Sequence, residues 1–368
     1  MKRTIKVITT FTLIATIFVI FGCSGSQTNK PDETIKIGAI VPLTGNAGVL
    51  GDYTLKGLQL AVDEQNAKGG LLGKKIELDI GDSKADPKEG VTLIKNMLAS
   101  EKKPFLVYSI MSGVTLAIKP ETEKNSILLM SAVGTDKFLE NSKYTIRNYV
   151  SATTTGQNLT PYLKDNLAVK NLVVFYSNNE YGISVKDAVT RSAEEKGIAV
   201  TSEAYEETSS DFKSLIAAKI NKDTECVYVA GVGKGLGTMI KQIRESGYKA
   251  KIVGDQLMTF PDVVNVAGDA LKGIPYLDFA FEANSANPTT RSFVDSFKNK
   301  FQTEPQNFSV ITYDGLKLLF STIEKNNAID SAKLIDALNA TKDYQGVFGP
   351  VSVTDRNVNF TFHFKVWQ

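Results

Sequence analysis

The chain alternates short apolar runs with longer segments of helical periodicity, and it does so in two series. The first series begins with TIKIGAIVPL at residue 34 and continues through KKIELDIGD, PFLVYSI and SILLMSA. The second series extends from NLVVFYS at residue 171 to AKIVGD, which ends at Asp255. Strands that alternate with helices predict parallel sheets with helices on both faces. We therefore expect an α/β protein with two doubly wound, Rossmann-like lobes.

The first 23 residues do not belong to this pattern. A short basic start precedes an apolar run from Val7 to Phe21, which indicates a secretory signal. Threonines interrupt this run, which argues against a transmembrane helix. The run ends in Gly22 and Cys23, as in a bacterial lipoprotein signal, so we expect lipid on Cys23 to anchor the protein to a membrane surface. Residues 24–33 have linker composition, and the rest is expected outside the cytoplasm.

Length, charge and cysteine content narrow the possible functions. The part after the linker has about 340 residues, which suits two lobes better than a single core. The net charge is +2 with acids and bases interspersed, so nucleic-acid binding is not expected. Apart from Cys23 the chain contains only Cys226, which lies in an apolar strand pattern. We expect Cys226 to be a buried small hydrophobic residue and the exported domain to lack an internal disulfide.

The usual signs of catalysis or cofactor binding are weak. The single histidine, His363, lies in a terminal strand pattern, and a Ser-His-Asp triad or a histidine-rich metal site would depend on it. The segment GVGKGLG at residues 231–237 follows a strand but lacks the spacing of dinucleotide and Walker motifs. Asp82 and Asp86 indicate a turn and a helix cap rather than a calcium loop. We therefore expect no enzymatic activity, no cofactor and no metal site.

Small hydroxylic residues cluster where strands end. Ser112 follows one strand of the first series and Thr135 follows the next, while YSNNEYG in the second series leads to Tyr181. Ligands of doubly wound sheets bind outside the carboxyl ends of the strands, and free N–H groups at helix starts favour anions. Two interpretations remain at this point. Either each hydroxyl caps its own helix, or Ser112 and Thr135 together hold a ligand carboxylate.

Five segments carry a resemblance to a known family, namely IKIGAIVPLTG, GDYTLKGLQLAVDEQNAKGGLLGKKIEL, DSKADPKEGV, NEYGIS and FGPVSVTD. From about residue 34 to the end, the chain resembles type I periplasmic binding proteins, specifically the branched-chain amino acid (Leu/Ile/Val) binding proteins of ABC transporters. The resemblance implies two lobes joined by three crossovers near residues 151, 281 and 357. Lobe 1 would contain residues 34–151 and 282–356, and lobe 2 residues 152–281 and 357–368. A small ligand would be enclosed as the lobes close and delivered to ABC permease subunits.

The resemblance also implies a set of ligand-binding residues, which are Leu50, Ser112, Val133, Gly134, Thr135, Tyr181, Asp255 and Gln256. Ser112 and Thr135 match positions that hold the carboxylate of the ligand, and Val133 and Gly134 lie beside them. Tyr181 matches an aromatic residue of the second lobe that closes over the ligand.

Gln256 is the main departure from the family pattern, because relatives carry at this position a glutamate that binds the ammonium group of the ligand. An amide supplies no countercharge, so either the neighbouring Asp255 turns inward or the ligand has no ammonium group. Leu50 and Val232 stand where aromatic residues are common, which implies a more aliphatic pocket. Two ligand classes remain, a neutral amino acid and an amine-free carboxylate or amide. A sensor that signals to a receptor instead of feeding a transporter also fits.

Overall fold

A computed structural model describes residues 34–368, and Thr34–Gln368 form one compact unit. The expected signal, the lipidation site at Cys23 and the linker lie outside the described residues. Within residues 34–368, no helix combines the length and the apolar character that a membrane span requires.

The expected strands and helices of both series are present. The first series comprises β1 (Thr34–Val41), α1 (Gly48–Ala67), β2 (Lys75–Asp82), α2 (Pro87–Ala99), β3 (Leu106–Ile110), α3 (Ser112–Lys124), β4 (Leu128–Ala132) and β5 (Thr145–Arg147). The second comprises α4 (Ala152–Pro161), β6 (Asn171–Ser177), α5 (Glu180–Glu194), β7 (Ala199–Tyr205), α6 (Lys213–Lys219), β8 (Cys226–Ala230), α7 (Gly233–Glu245), β9 (Lys251–Asp255), α8 (Pro261–Ala267) and β10 (Pro275–Phe279). The chain ends with α9 (Pro288–Phe301), α10 (Asn307–Asn326), α11 (Ser331–Asn339), β11 (Tyr344–Gly346), β12 (Gly349–Thr354), β13 (Asn357–Asn359) and β14 (Phe362–Val366).

These strands form two sheets, and each sheet with its covering helices is one lobe. The sheet of lobe 1 has the order β11-β12-β13-β5-β4-β3-β1-β2, and the sheet of lobe 2 has the order β14-β10-β9-β8-β6-β7. The strands β1 to β5 pair with one another in parallel, as do the strands β6 to β10. In both sheets the first strand lies between the second and the third strand of its series. Strand order reverses there, and such points form crevices for ligands.

The strands are apolar throughout because both faces of each sheet are covered. In β1, Ile37 and Ala39 belong to the core cluster that contains α1 and α10 residues, whereas Ile40 belongs to the cluster built with α2 and α3. In β6, Phe175 belongs to the large cluster and Val174 to the cluster built with α4 and α5. Successive side chains of a strand point to opposite faces, so this division confirms helices on both sides of each sheet.

The chain passes between the sheets three times, after β5, after β10 and after β13. The third passage differs from the expectation of a crossover near residue 357. Asn357 pairs with Arg147 of β5, and Val358 pairs with Val353 of β12, so β13 belongs to lobe 1. Only β14 joins lobe 2, where it pairs in antiparallel fashion with β10. The three residues of β13 remain in lobe 1 because they connect β12 to the parallel strands.

Several local predictions are confirmed. Asp86 caps α2 by accepting a hydrogen bond from the N–H of Lys88 at 2.7 Å, and Pro87 occupies the first helical position. Cys226 is buried in β8. His363 lies in the terminal strand β14 and is partly exposed, with its Nε2 atom 3.7 Å from the carboxylate of Glu282. The long helix α10 lies against α1 in lobe 1.

Candidate functional site

A cavity of about 480 Å³ lies between the two lobes. Its lining comes from the segments that follow β2, β3, β4 and β5 in lobe 1 and β6, β7, β8 and β9 in lobe 2, together with the first turns of α1 and α10. Apart from the first turn of α10, which follows α9, these segments start at the carboxyl ends of parallel strands, where the topology predicts a ligand site. The volume lies within the range of small-molecule sites.

Ser112 supplies an unpartnered hydroxyl to this cavity. The side chain is buried, with 3% of its surface exposed, and its Oγ atom has no hydrogen-bond partner. The residue begins α3, whose first N–H groups have no intrahelical acceptor. No capping side chain accepts a hydrogen bond from them either. Met111, just before it, has φ +71°, an unusual conformation that turns the chain from β3 into α3. Ser112 therefore does not cap its helix, and this end of the cavity offers donors to an anion.

Gly134 and Tyr181 bring the two lobes together across the cavity. Gly134 and Val133 follow β4 in lobe 1, and Tyr181 lies in the first turn of α5 in lobe 2. A Cβ atom on Gly134 would lie 3.0 Å from Cε2 of the Tyr181 ring, which is closer than a normal contact. A larger residue at this position would therefore require a small shift of the Tyr181 ring. Leu50, from the first turn of α1, also lines the cavity.

Thr135 lies outside the cavity lining. The Oγ1 atom of this buried residue donates to Oε1 of Glu180 at 3.1 Å. The same carboxylate oxygen is 3.0 Å from Nζ of Lys137. Like Ser112, Thr135 does not cap the helical turn that follows it. Its hydroxyl instead connects lobe 1 to the first turn of α5 in lobe 2.

Asp255 and Gln256 also lie outside the lining, behind the tyrosines of the cavity wall. Asp255 is buried and accepts hydrogen bonds from the hydroxyl of Tyr228 at 2.6 Å and from the N–H of Leu257 at 3.0 Å. Gln256 is buried as well, and its Nε2 atom donates to the hydroxyl of Tyr149 at 2.6 Å. Tyr149 lines the cavity, so Gln256 positions a wall residue. The possibility that Asp255 turns inward is not the arrangement in this structure.

The titration of Asp255 should make the stability of the protein depend on pH. Burial raises the pKa of Asp255 to about 6, whereas an unfolded aspartate titrates near ~3.9. The folded protein therefore holds the proton more tightly, and its free energy of unfolding falls as pH rises through this window and levels off above it. Asp314 is also buried and has its pKa raised to about 6, so it titrates in both proteins. Urea unfolding at pH 4 to 8 should therefore show a loss that is smaller in Asp255→Asn than in wild type by about 1 to 3 kcal/mol. Parallel pH profiles for the two proteins would contradict this expectation.

Three glutamates line the lobe 2 side of the cavity, and the sequence analysis named none of them as a site residue. Glu206 and Glu207 follow directly after β7, and Glu180 begins α5. Burial raises the pKa of Glu207, against the effect of a hydrogen bond that its Oε1 atom accepts from the N–H of Val232 at 3.0 Å. Among the residues that the structure describes, no Lys, Arg or His lines the cavity. The signal was available, since these glutamates follow a strand end just as Ser112 does.

Two α/β lobes around one interlobe cavity define a class of protein that encloses a small molecule between domains. The family profile described as "Periplasmic binding protein" matches residues 34–364. The chain belongs to this periplasmic binding protein family, which confirms the resemblance seen in the sequence.

The chain is similar over most of its length to characterised members. It is 25% identical over 340 residues to a Pseudomonas aeruginosa protein named leucine-, isoleucine-, valine-, threonine- and alanine-binding protein. The alignment covers 91% of this chain and 90% of the relative. A similar crystal structure is that of the branched-chain amino acid transporter substrate-binding protein LivJ from Streptococcus pneumoniae in complex with isoleucine. Its TM-score against this chain is 0.81 at 25% identity, and the superposition covers 91% of this chain and 96% of that one.

A further structural neighbour shares the fold with a different ligand. A solute-binding protein of an ABC transporter from Rhodopseudomonas palustris, in complex with 3,4-dihydroxybenzoic acid, has a TM-score of 0.79 and 22% identity, covering 90% of this chain and 93% of that one. This level of identity supports the shared fold alone. The relatives are named as binding proteins, and none of these names describes an enzyme.

Proposed function

We propose that this protein is the substrate-binding component of an ABC importer and that it binds a small neutral amino acid, such as a branched-chain one, between its lobes. The observation that carries this proposal is the charge distribution in the cavity. The Ser112 end offers donors for a carboxylate, and the opposite lobe offers glutamates without any lining cation. A zwitterion with its carboxylate toward Ser112 and its ammonium toward lobe 2 matches both ends.

An amine-free carboxylate fits this cavity less well. Its only charge would be negative, in a cavity that already contains three glutamates. Like charges in a poorly hydrated site repel, and no lining Lys or Arg would offset the repulsion. The remaining lining is largely apolar and includes Leu50, Val133 and Val232, which suits an aliphatic side chain.

The proposed role requires binding and closure, without catalysis or a cofactor. A ligand that contacts both lobes stabilises the closed arrangement, because it binds that arrangement more tightly than an open one. Permease subunits would recognise the closed lobes. Family membership supports an extracytoplasmic location, and the lipid on Cys23 would hold the protein at the membrane surface. The names of the relatives favour transport over a receptor-coupled sensor.

Thermal unfolding tests the proposal directly. Residues 24–368, which include the whole compact unit, are heated with leucine, isoleucine, valine, 4-methylpentanoate or benzoate. A ligand at a hundredfold over its dissociation constant adds about 2.7 kcal/mol to the free energy of unfolding, enough to raise Tm by several degrees. We expect this shift with at least one of the amino acids and none with 4-methylpentanoate, which is leucine without its amine. A shift with the carboxylates alone would contradict the proposal.

A further inference from the structure

Given the proposed function, the ammonium group of the ligand needs an acidic partner, since burial of an unpaired ammonium is strongly unfavourable. The family position for this partner is occupied by Gln256. This residue lies behind the cavity wall and donates a hydrogen bond to the hydroxyl of Tyr149. Asp255 is the alternative that the sequence offered, and its carboxylate accepts hydrogen bonds from the Tyr228 hydroxyl and from the N–H of Leu257. The partner must therefore come from elsewhere in the cavity.

Three glutamates line the cavity, and two of them are less suited to bind an ammonium group, one because it is paired with a lysine and the other because it is exposed. Glu180 accepts a hydrogen bond from Thr135 and forms an ion pair with Lys137. Glu206 is exposed to solvent and accepts from Nδ2 of Asn178 at 2.7 Å. An exposed carboxylate in contact with water contributes little to the binding of a cation.

Glu207 differs from both of these residues. It is partly buried, and no ion pair among the described residues includes it. Its Oε1 atom accepts the N–H of Val232, which fixes the position of the carboxylate at the cavity wall. We propose that Glu207 binds the ammonium group of the amino acid ligand and so replaces the acidic residue that is missing at position 256.

Two glycines of the GVGKGLG segment allow the Glu207 loop to pack closely against the start of α7. A Cβ atom on Gly235 would lie 2.2 Å from the backbone oxygen of Glu207, and one on Gly231 would lie 1.8 Å from the hydroxyl of Tyr205, at the end of β7. Such distances are impossible for a larger residue without a shift of the backbone or of a buried ring. The segment has no nucleotide-binding spacing, and this close packing accounts for Gly231 and Gly235.

The placement of Glu207 also connects binding to closure. Ser112 belongs to lobe 1 and Glu207 to lobe 2, so the two charged ends of one ligand would contact different lobes. Burial already raises the pKa of Glu207 in the absence of a ligand. An ammonium group nearby would favour the ionised carboxylate and thereby strengthen its own binding.

The test is calorimetric titration of residues 24–368 with the amino acid that raises Tm most. Glu207→Gln, which preserves shape and removes charge, should weaken binding about 10- to 100-fold. Glu194→Gln removes an exposed charge of lobe 2 that does not line the cavity and should change affinity less than threefold. Glu207→Asp keeps a shorter carboxylate and should retain part of the affinity that Glu207→Gln loses. Ligand-free Tm values of all variants establish that they are folded.

Three outcomes would overturn the inference, and they are distinguishable. If wild type binds an amino acid and Glu207→Gln binds it within threefold, Glu207 is not the ammonium partner, although the proposed function stands. If wild type binds no amino acid but does bind 4-methylpentanoate, the proposed function fails and this inference fails with it. A weakening in Asp255→Asn that is larger than in Glu207→Gln would assign the ammonium to Asp255 instead.

Discussion

Replacement of Ser112 by alanine should weaken amino acid binding by about 10- to 100-fold and leave the ligand-free protein at least as stable as wild type. The two effects have opposite signs because the Ser112 hydroxyl is buried without a partner until a ligand is present. An unsatisfied buried hydroxyl destabilises the ligand-free protein, so its removal should not lower the free energy of unfolding of that state. A hydrogen bond to a carboxylate contributes about 1.5 to 3 kcal/mol, and the alanine variant loses that contribution.

Ser83 provides a matched control for this experiment. Its Oγ atom is also buried and unpartnered, but the residue does not line the cavity. Ser83→Ala should therefore share the neutral or favourable effect on stability and leave affinity unchanged. Titration calorimetry measures affinity, and urea unfolding without ligand measures stability. Equal affinities of Ser112→Ala and wild type would show that Ser112 does not hold the carboxylate.

Replacement of Gly57 by alanine should destabilise the protein by about 2 to 3 kcal/mol, although alanine favours helices by about 1 kcal/mol over glycine. Gly57 lies in α1, and a Cβ atom there would be 2.4 Å from the backbone oxygen of Ser309 in α10. A backbone atom cannot move aside as a side chain can, so the two helices would have to separate. That separation would disturb the core beneath them, which includes Leu58 and Ile311.

Gly113 in α3 is the comparison for Gly57, because a Cβ atom there would make only an ordinary contact of 3.5 Å with Pro87. Gly113→Ala should keep or slightly raise stability, which shows the helical preference without the clash. Urea unfolding of both variants without ligand measures the difference. A gain in stability for Gly57→Ala would mean that α1 and α10 do not pack as closely as the structure shows.

The elements of this fold could be predicted because their signals are local. Apolar runs such as that of β3 need cover on both faces, and helical periodicity with Asp86 and Pro87 at its start marks α2. The end of lobe 1 was less predictable. β13 pairs with strands that are distant in sequence, and no local pattern shows that Asn357–Asn359 belong to lobe 1 rather than to lobe 2.

Part of the candidate site followed from the same rule of strand ends. Ser112, Gly134 and Tyr181 line the cavity, as the sequence led us to expect. Thr135 and Asp255 do not, because their side chains form hydrogen bonds with residues distant in the chain, Glu180 and Tyr228. Such partners depend on packing between elements and leave no trace in the residue itself.

Sequence alone was sufficient for the class of fold and the carboxyl-end location of the site, because backbone periodicity and parallel topology follow from local pattern. It named Ser112 but left open whether this hydroxyl caps its helix or binds a ligand, and only the structure shows that it has no partner. The direction of the buried carboxylates emerged only in three dimensions. Whether a carboxylate faces the ligand or a tyrosine depends on the neighbours that the fold places around it. For this reason Glu207 lines the cavity while Asp255 lies behind its wall.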